Sequence, residues 1–179
     1  YKGPNLKRTS RSTVASFDRP YDGDGSGQTR YMELPILRLA EEKGLDIAYA
    51  TDFDLDGYCD LYLAQANNWR DPTPQPQYPD KLFRNLPSGQ FQDITVPAGL
   101  GDLGFTHGVS TGDFDQDGFP DIYIGNLGPN RMYRNNGDGT FEDVTEVAGV
   151  AGNEWTTSSV FSDFSGDGLP DLYVANYSL

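Results

Sequence analysis

At 179 residues the chain is long enough for one domain with a real core. Acids outnumber bases 27 to 13, for a net charge of −14; nucleic acid and anionic membranes are therefore poor partner candidates, because phosphate binding needs a basic face, and cations are better ones. With 21 Gly, 12 Pro and 13% aromatic residues, and no apolar run near the ~18 residues of a membrane-spanning helix, the composition leans towards an all-β protein with many tight turns.

The chain opens at Tyr1, which fits a mature chain after signal-peptide removal or a piece of something larger. Residues 1–44 form an N-terminal region that fits the later pattern poorly. Phe17-Asp18 followed by Asp22–Gly25 reads as a degenerate acidic loop, and Leu37–Gly44 as a short helix ending at its glycine. Residues 45–179 read as one structural domain built from an internal repeat, in units of about 45–100, 101–150 and an incomplete 151–179. Lys81–Asn85, Gly89, Phe91, Asp93–Thr95 and Ala98–Leu100 recur, 50 residues on and without a gap, as Arg131–Asn135, Gly139, Phe141, Asp143–Thr145 and Ala148–Val150. An acidic motif starts at Asp52, Asp113 and Asp163, with spacings of 61 and 50. The extra 11 residues fall between Ala66 and Asp80, among Pro72, Pro74, Pro76 and Pro79. That stretch reads as an extended polyproline-like surface insertion, a spacer before it is a docking loop.

Within each unit the acidic loop leads into Asp60–Ala64, Asp121–Gly125 or Asp171–Ala175. These short aromatic and β-branched runs predict strands, and their successive apolar residues suit a strand covered on both faces. A second strand follows around Leu82–Asn85 or Met132–Asn135. Asn136–Gly139 is hairpin chemistry, and Phe141–Thr145 is the return strand. About four strands per ~50 residues is the blade pattern of a β-propeller. The expected fold is therefore all-β, with propeller-type blades in a partial or open array of about three units.

The first two loops place carboxylates at positions 1, 3, 5 and 9 and glycine at 6. They use Asp52, Asp54, Asp56, Gly57 and Asp60, then Asp113, Asp115, Asp117, Gly118 and Asp121. Alternate spacing turns every second side chain inward. The glycine permits a sharp turn that brings the position 7 carbonyl, from Tyr58 or Phe119, to the same centre. Such an all-oxygen set suits calcium (Ca2+) better than magnesium or zinc. Two carboxylates ~4 Å apart repel by about 1 kcal/mol in water and about 4 kcal/mol at an effective dielectric near 20, and neither loop contains Lys or Arg. The third loop offers Asp163, Asp167, the Leu169 carbonyl and Asp171, with Ser165 at position 3; one lost charge predicts a weaker site. An EF-hand is disfavoured, since position 12 is Leu63, Ile124 or Val174 inside a β run.

The loops, together with Tyr133–Phe141, Asp143–Thr145 and Ala148–Val150, resemble the FG-GAP/VCBS repeats of integrin-type β-propellers, closest to those found with the ASPIC/UnbV domain. The resemblance covers about residues 45–179. It implies one calcium ion per blade, up to three, held by the residues at positions 1, 3, 5, 7 and 9.

His107, the sole histidine, aligns with Thr157 one repeat on and has no recognisable nucleophile partner. Asp93 and Asp143 recur at matching places and read as structural caps. Cys59, the sole cysteine, aligns with Pro120 and Pro170 and cannot form a disulfide within the chain. Asn176-Tyr177-Ser178 is a glycosylation triplet of little weight. The expected function is a non-catalytic, calcium-stabilised structural or adhesion module of a secreted or cell-surface protein. Its partners would be other protein chains, including copies of itself joined through the incomplete last blade. The alternative is a propeller domain of a secreted carbohydrate-active or other hydrolytic enzyme.

Overall fold

The computed structural model describes residues 47–65 and 79–177. The expectations for Asp22–Gly25, for Leu37–Gly44 and for most of the proline-rich insertion lie outside them. The described residues form ten strands and no helix. Strands β1 (Ile47–Thr51), β2 (Asp60–Ala64), β3 (Lys81–Asn85) and β4 (Phe91–Asp93) make one antiparallel sheet in sequence order. Strands β5 (Thr106–Gly112), β6 (Asp121–Asn126), β7 (Arg131–Asn135) and β8 (Phe141–Asp143) repeat it. Strands β9 (Trp155–Ser162) and β10 (Asp171–Tyr177) pair as a two-stranded third sheet. Each acidic loop joins the first strand of a sheet to its second.

The second strands are apolar on both faces because each lies between layers. In β2, Tyr62 and Ala64 face the second sheet, while Leu61 and Leu63 pack with Phe83 on the other side. In β6, Ile122 and Ile124 face the first sheet and Tyr123 faces the third. All of these are essentially fully buried, each contributing about 1.5–3 kcal/mol for an aliphatic side chain. The main core, with Phe53, Leu82, Ala98, Val109, Tyr133 and Phe141, therefore lies between the first two blades. A smaller one, around Tyr123, Met132 and Val144, joins the second blade to Phe161, Leu172 and Val174 of the third.

Two features depart from the sequence expectation. The return strand ends at Asp143, short of Thr145, because the Asp143 carboxylate accepts both the backbone N–H (3.0 Å) and the hydroxyl of Thr145 and curls the chain into a turn. Thr145 Oγ1 then accepts the N–H of Met132 at 2.8 Å, and Asp93, Thr95 and Leu82 repeat the arrangement. Asp93 and Asp143 are thus structural caps, as expected. The other departure is the strand ahead of each acidic loop (β1, β5 or β9), which no residue pattern marked out. In the hairpin, Asn136 N–H donates to the Thr140 carbonyl at 2.9 Å, and Gly137 and Gly139 take the positive φ that only glycine adopts freely.

Candidate metal centre

The first loop curls because its acids satisfy its own backbone. Asp52 accepts from the N–H groups of Asp56 (3.1 Å) and Gly57 (2.9 Å), and Asp56 accepts from Tyr58 (3.0 Å). The second loop repeats this: Asp113 accepts from Asp117 and Gly118 at 3.0 Å each, and Asp117 from Phe119 at 2.9 Å. Carboxylate oxygens of Asp52, Asp54 and Asp56 lie within 4.8 Å of one another, as do those of Asp113, Asp115 and Asp117. Three hard oxygen donors at such separations fit a divalent cation, so two acidic triads could hold a metal ion.

The position 9 acids are placed differently. Asp60 and Asp121 are buried, and each carboxylate already takes two backbone N–H groups. Asp60 accepts from Phe53 (3.1 Å) and Asn85 (2.8 Å), and Asp121 from Phe114 (2.9 Å) and Asn135 (2.8 Å). Burial pushes both carboxyls up to about 6, against those hydrogen bonds and with the neighbouring loop acids adding to the rise. These two acids staple loop to sheet and are not among the triad oxygens. At position 7, Tyr58 and Leu169 are exposed, and the Phe119 ring packs over Gly137.

In the third loop Asp163 accepts from Gly166, Asp167 and Gly168, whose N–H groups (Gly168 first) hold its carboxyl below the usual range. Asp167 accepts from Leu169 at 2.9 Å, and Asp171 from Phe164 (2.9 Å) and Ser165 (2.8 Å). With Ser165 at position 3, this loop brings no acidic triad together.

Two features escaped the sequence. The first is Arg84 on β3, whose Nε lies 2.6 Å from Asp54 and whose Nη2 donates to Asp56 at 3.0 Å. Nε makes no directed hydrogen bond there, so the contact with Asp54 is an ion pair only. The first triad thus has a local counter-charge. Arg134 sits at the matching place but pairs with Glu142 at 2.6 Å, its cross-strand neighbour. The neighbour of Arg84 is the neutral Gln92, which leaves the guanidinium to the loop. The second feature is position 4, where Leu55 (φ 58°) and Gln116 (φ 60°) adopt the left-handed conformation. Gly166 stands there in the third loop at φ 78°, a signal that could have been read.

Position 2 ties each of the first two loops to the next blade. Phe53 is 3% exposed, its ring edge-on to Phe141 of the second blade at 5.7 Å, and its carbonyl accepts from Asn135 Nδ2 at 2.8 Å. Phe114 packs into the core shared with the third blade, and Gln116 Nε2 donates to the Gly168 carbonyl at 3.0 Å. His107 takes no part: its Nδ1 accepts from Trp155 Nε1 at 2.8 Å. It is the extra residue of a β-bulge in β5, at the place Thr157 fills in β9.

A four-stranded meander repeated in register, with an acidic loop between its first two strands, defines a repeat protein built of propeller-type blades. A family model described as FG-GAP-like repeat matches residues 52–124 and 113–174, and the chain belongs to that family, with the blades of a partial propeller. Residues 1–68 match a second model, described as N,N-dimethylformamidase beta subunit-like, C-terminal. No curated protein matches the chain.

Proposed function

We propose that this chain is a calcium-binding, non-catalytic structural module of an exported protein, in which the ion fixes each acidic loop and the loop in turn fixes the next blade. The observation that carries the reading is the convergence of alternate carboxylates in both intact loops. Calcium would be held by Asp52, Asp54 and Asp56 and by Asp113, Asp115 and Asp117, with the position 7 carbonyls completing each set. Its charge would offset the repulsion within each triad. The third loop, with Ser165, binds more weakly.

Thermal unfolding in calcium, in chelator and in magnesium tests this. At a hundredfold excess over Kd each site adds about 2.7 kcal/mol. Two sites together correspond to a fall in Tm on the order of 10 °C on chelation, restored by calcium and not by magnesium. Asp52→Asn with Asp54→Asn halves the effect. An unchanged melting curve in chelator overturns the reading.

Among these repeats we read the Tyr133–Phe141 signature as akin to those accompanying the ASPIC/UnbV domain in proteins similar to cartilage acidic protein; such a domain in the full gene product would test this. The third sheet also exposes Phe164, Tyr173 and Tyr177, whereas the corresponding Tyr62 and Tyr123 are buried against a following blade. We take this face as the seat of a further blade, from the same polypeptide or a second copy. Light scattering in calcium separates the two, since a monomer rules out the second copy. One finding favours a different function: the match of residues 1–68 to a dimethylformamidase-like segment suits a non-catalytic part of a hydrolytic enzyme. Amide hydrolysis by the full gene product would decide for it.

A further inference from the structure

At the blade ends opposite the acidic loops, a line of buried polar side chains crosses from one blade to the next. Asp80, just ahead of β3, is fully buried. Its Oδ1 accepts from Gln65 N–H at 2.7 Å, and its Oδ2 lies 3.0 Å from Tyr62 Oη and 2.8 Å from Thr106 Oγ1 in the second blade. Thr106 Oγ1 in turn lies 3.0 Å from Asn126 Oδ1. The Asn126 amide is fixed in orientation, because its Nδ2 donates to Asp102 (2.8 Å) and to the Pro129 carbonyl (2.7 Å). Thr106 therefore stands between two oxygens, and its hydroxyl carries one proton. If Asp80 is ionised, one of these two short contacts has no hydrogen in it.

The same chain of contacts recurs fifty residues on with its protons accounted for. Asn130 Oδ1 accepts from Asn126 N–H at 2.8 Å, as Asp80 Oδ1 does from Gln65. Asn130 Nδ2 donates to Thr156 Oγ1 at 2.9 Å, and Thr156 Oγ1 donates to Asn176 Oδ1 at 2.7 Å. Thr106 pairs with Asn126 across β5 and β6 just as Thr156 pairs with Asn176 across β9 and β10, each beside a bulge. The place of Asp80 Oδ2 is thus taken in the second copy by an N–H donor. We infer that Asp80 stands as a neutral carboxylic acid donating its proton to Thr106, so that the joint between the first two blades is a proton-dependent latch.

The surroundings agree. Among the described residues no cation pairs with Asp80. Facing it are Asp102, whose carboxylate is 3.7 Å from Arg131 Nε, and the Tyr62 and Tyr133 phenols. Burial pushes the Asp80 carboxyl up to about 7, with Asp102 adding to the rise, against the hydrogen bonds that Gln65, Tyr62 and, in the ionised form alone, Thr106 donate to it. A carboxyl raised in the folded state binds its proton more tightly there than in the unfolded chain. Its contribution is complete below the ordinary value near 4, falls as pH rises to about 7, and is level above that.

Asp80→Asn supplies the donor found in the second copy. Compared with the wild type in the same buffer, which cancels the titration of the loop acids, it tests the latch. The wild-type unfolding constant divided by that of Asp80→Asn should rise between pH 4 and 7, by up to about a thousandfold for roughly three pH units, and then stay level. At pH 7.5 the variant should melt at or above the wild type. A variant that melts below the wild type by the same margin at every pH overturns the inference. The wild type alone gives a second reading: the 13Cγ resonance of Asp80 should titrate with a midpoint above 6, and a midpoint below 5 overturns it equally.

Discussion

The position 2 phenylalanines allow one substitution to be made three times at equivalent sites with three different outcomes. Phe53 is 3% exposed and sits edge-on to Phe141 at 5.7 Å, inside the core between the first two blades. Phe53→Ala leaves its backbone bonds to Asp60 and Asn135 in place, so the loss reports the ring. A buried Phe→Ala costs about 3–5 kcal/mol, of which the aromatic pair accounts for about 1 kcal/mol. Phe114 is half-buried against the core shared with the third blade, and about half that loss is expected. Phe164 is 60% exposed and touches only Tyr173 among ring partners, at 6.2 Å; its truncation should cost within about 0.5 kcal/mol. Urea unfolding at constant m-value measures all three. Equal losses, or the largest loss at Phe164, would refute the claim that the first two loops are anchored in the blades that follow them.

Arg84→Gln should tighten divalent-cation binding by the first loop about three- to tenfold, because it removes a guanidinium competing for Asp54 and Asp56. Arg134→Gln should leave the second loop unchanged, since that side chain is engaged with Glu142; titration calorimetry on both variants checks the contrast. Leu55→Gly should raise stability by about 0.5 kcal/mol, the relief of a left-handed residue costing ~1–2 kcal/mol less the entropy glycine loses on folding, ~0.5–1 kcal/mol. Gly166→Leu should lose about 1 kcal/mol, and a lower Tm for Leu55→Gly would contradict the strain argument.

The strands following the acidic loops were legible because both of their faces are packed, which writes a continuous apolar run into Asp60–Ala64 and Asp121–Asn126. The strands preceding the loops were not. Thr106–Gly112 and Trp155–Ser162 are dominated by Thr, Ser and Gly because they run close together. A Cβ on Gly108 would lie 3.3 Å from the Ser158 Cα, and one on Gly112 would meet the Phe161 ring at 2.6 Å. Close backbone approach removes the side chains from which periodicity is read. In the candidate centre, alternate acids and the position 6 glycine sufficed to bring three carboxylates together, because that is a property of one short loop. The engagement of the position 9 acids with Asn85 and Asn135, and the reach of Arg84 across to Asp54, depend on sheet register and on Gln92 standing where the second blade has Glu142. Such choices lie between segments distant in sequence and leave no local trace.

Because the second residue of each of the first two acidic loops is lodged in the wall of its neighbour, the boundary that looks natural between one sheet and the next runs through a joint. A cut or a foreign insert there would sever a loop from its anchorage. The tolerant seam is at the far tips of the sheets, where Gln65 and Asp80 clasp each other across the exit of β2 and the entry of β3. It is there that the extra eleven residues between Ala66 and Asp80 have been accommodated, and there that a domain could be spliced in without disturbing the row of acidic turns.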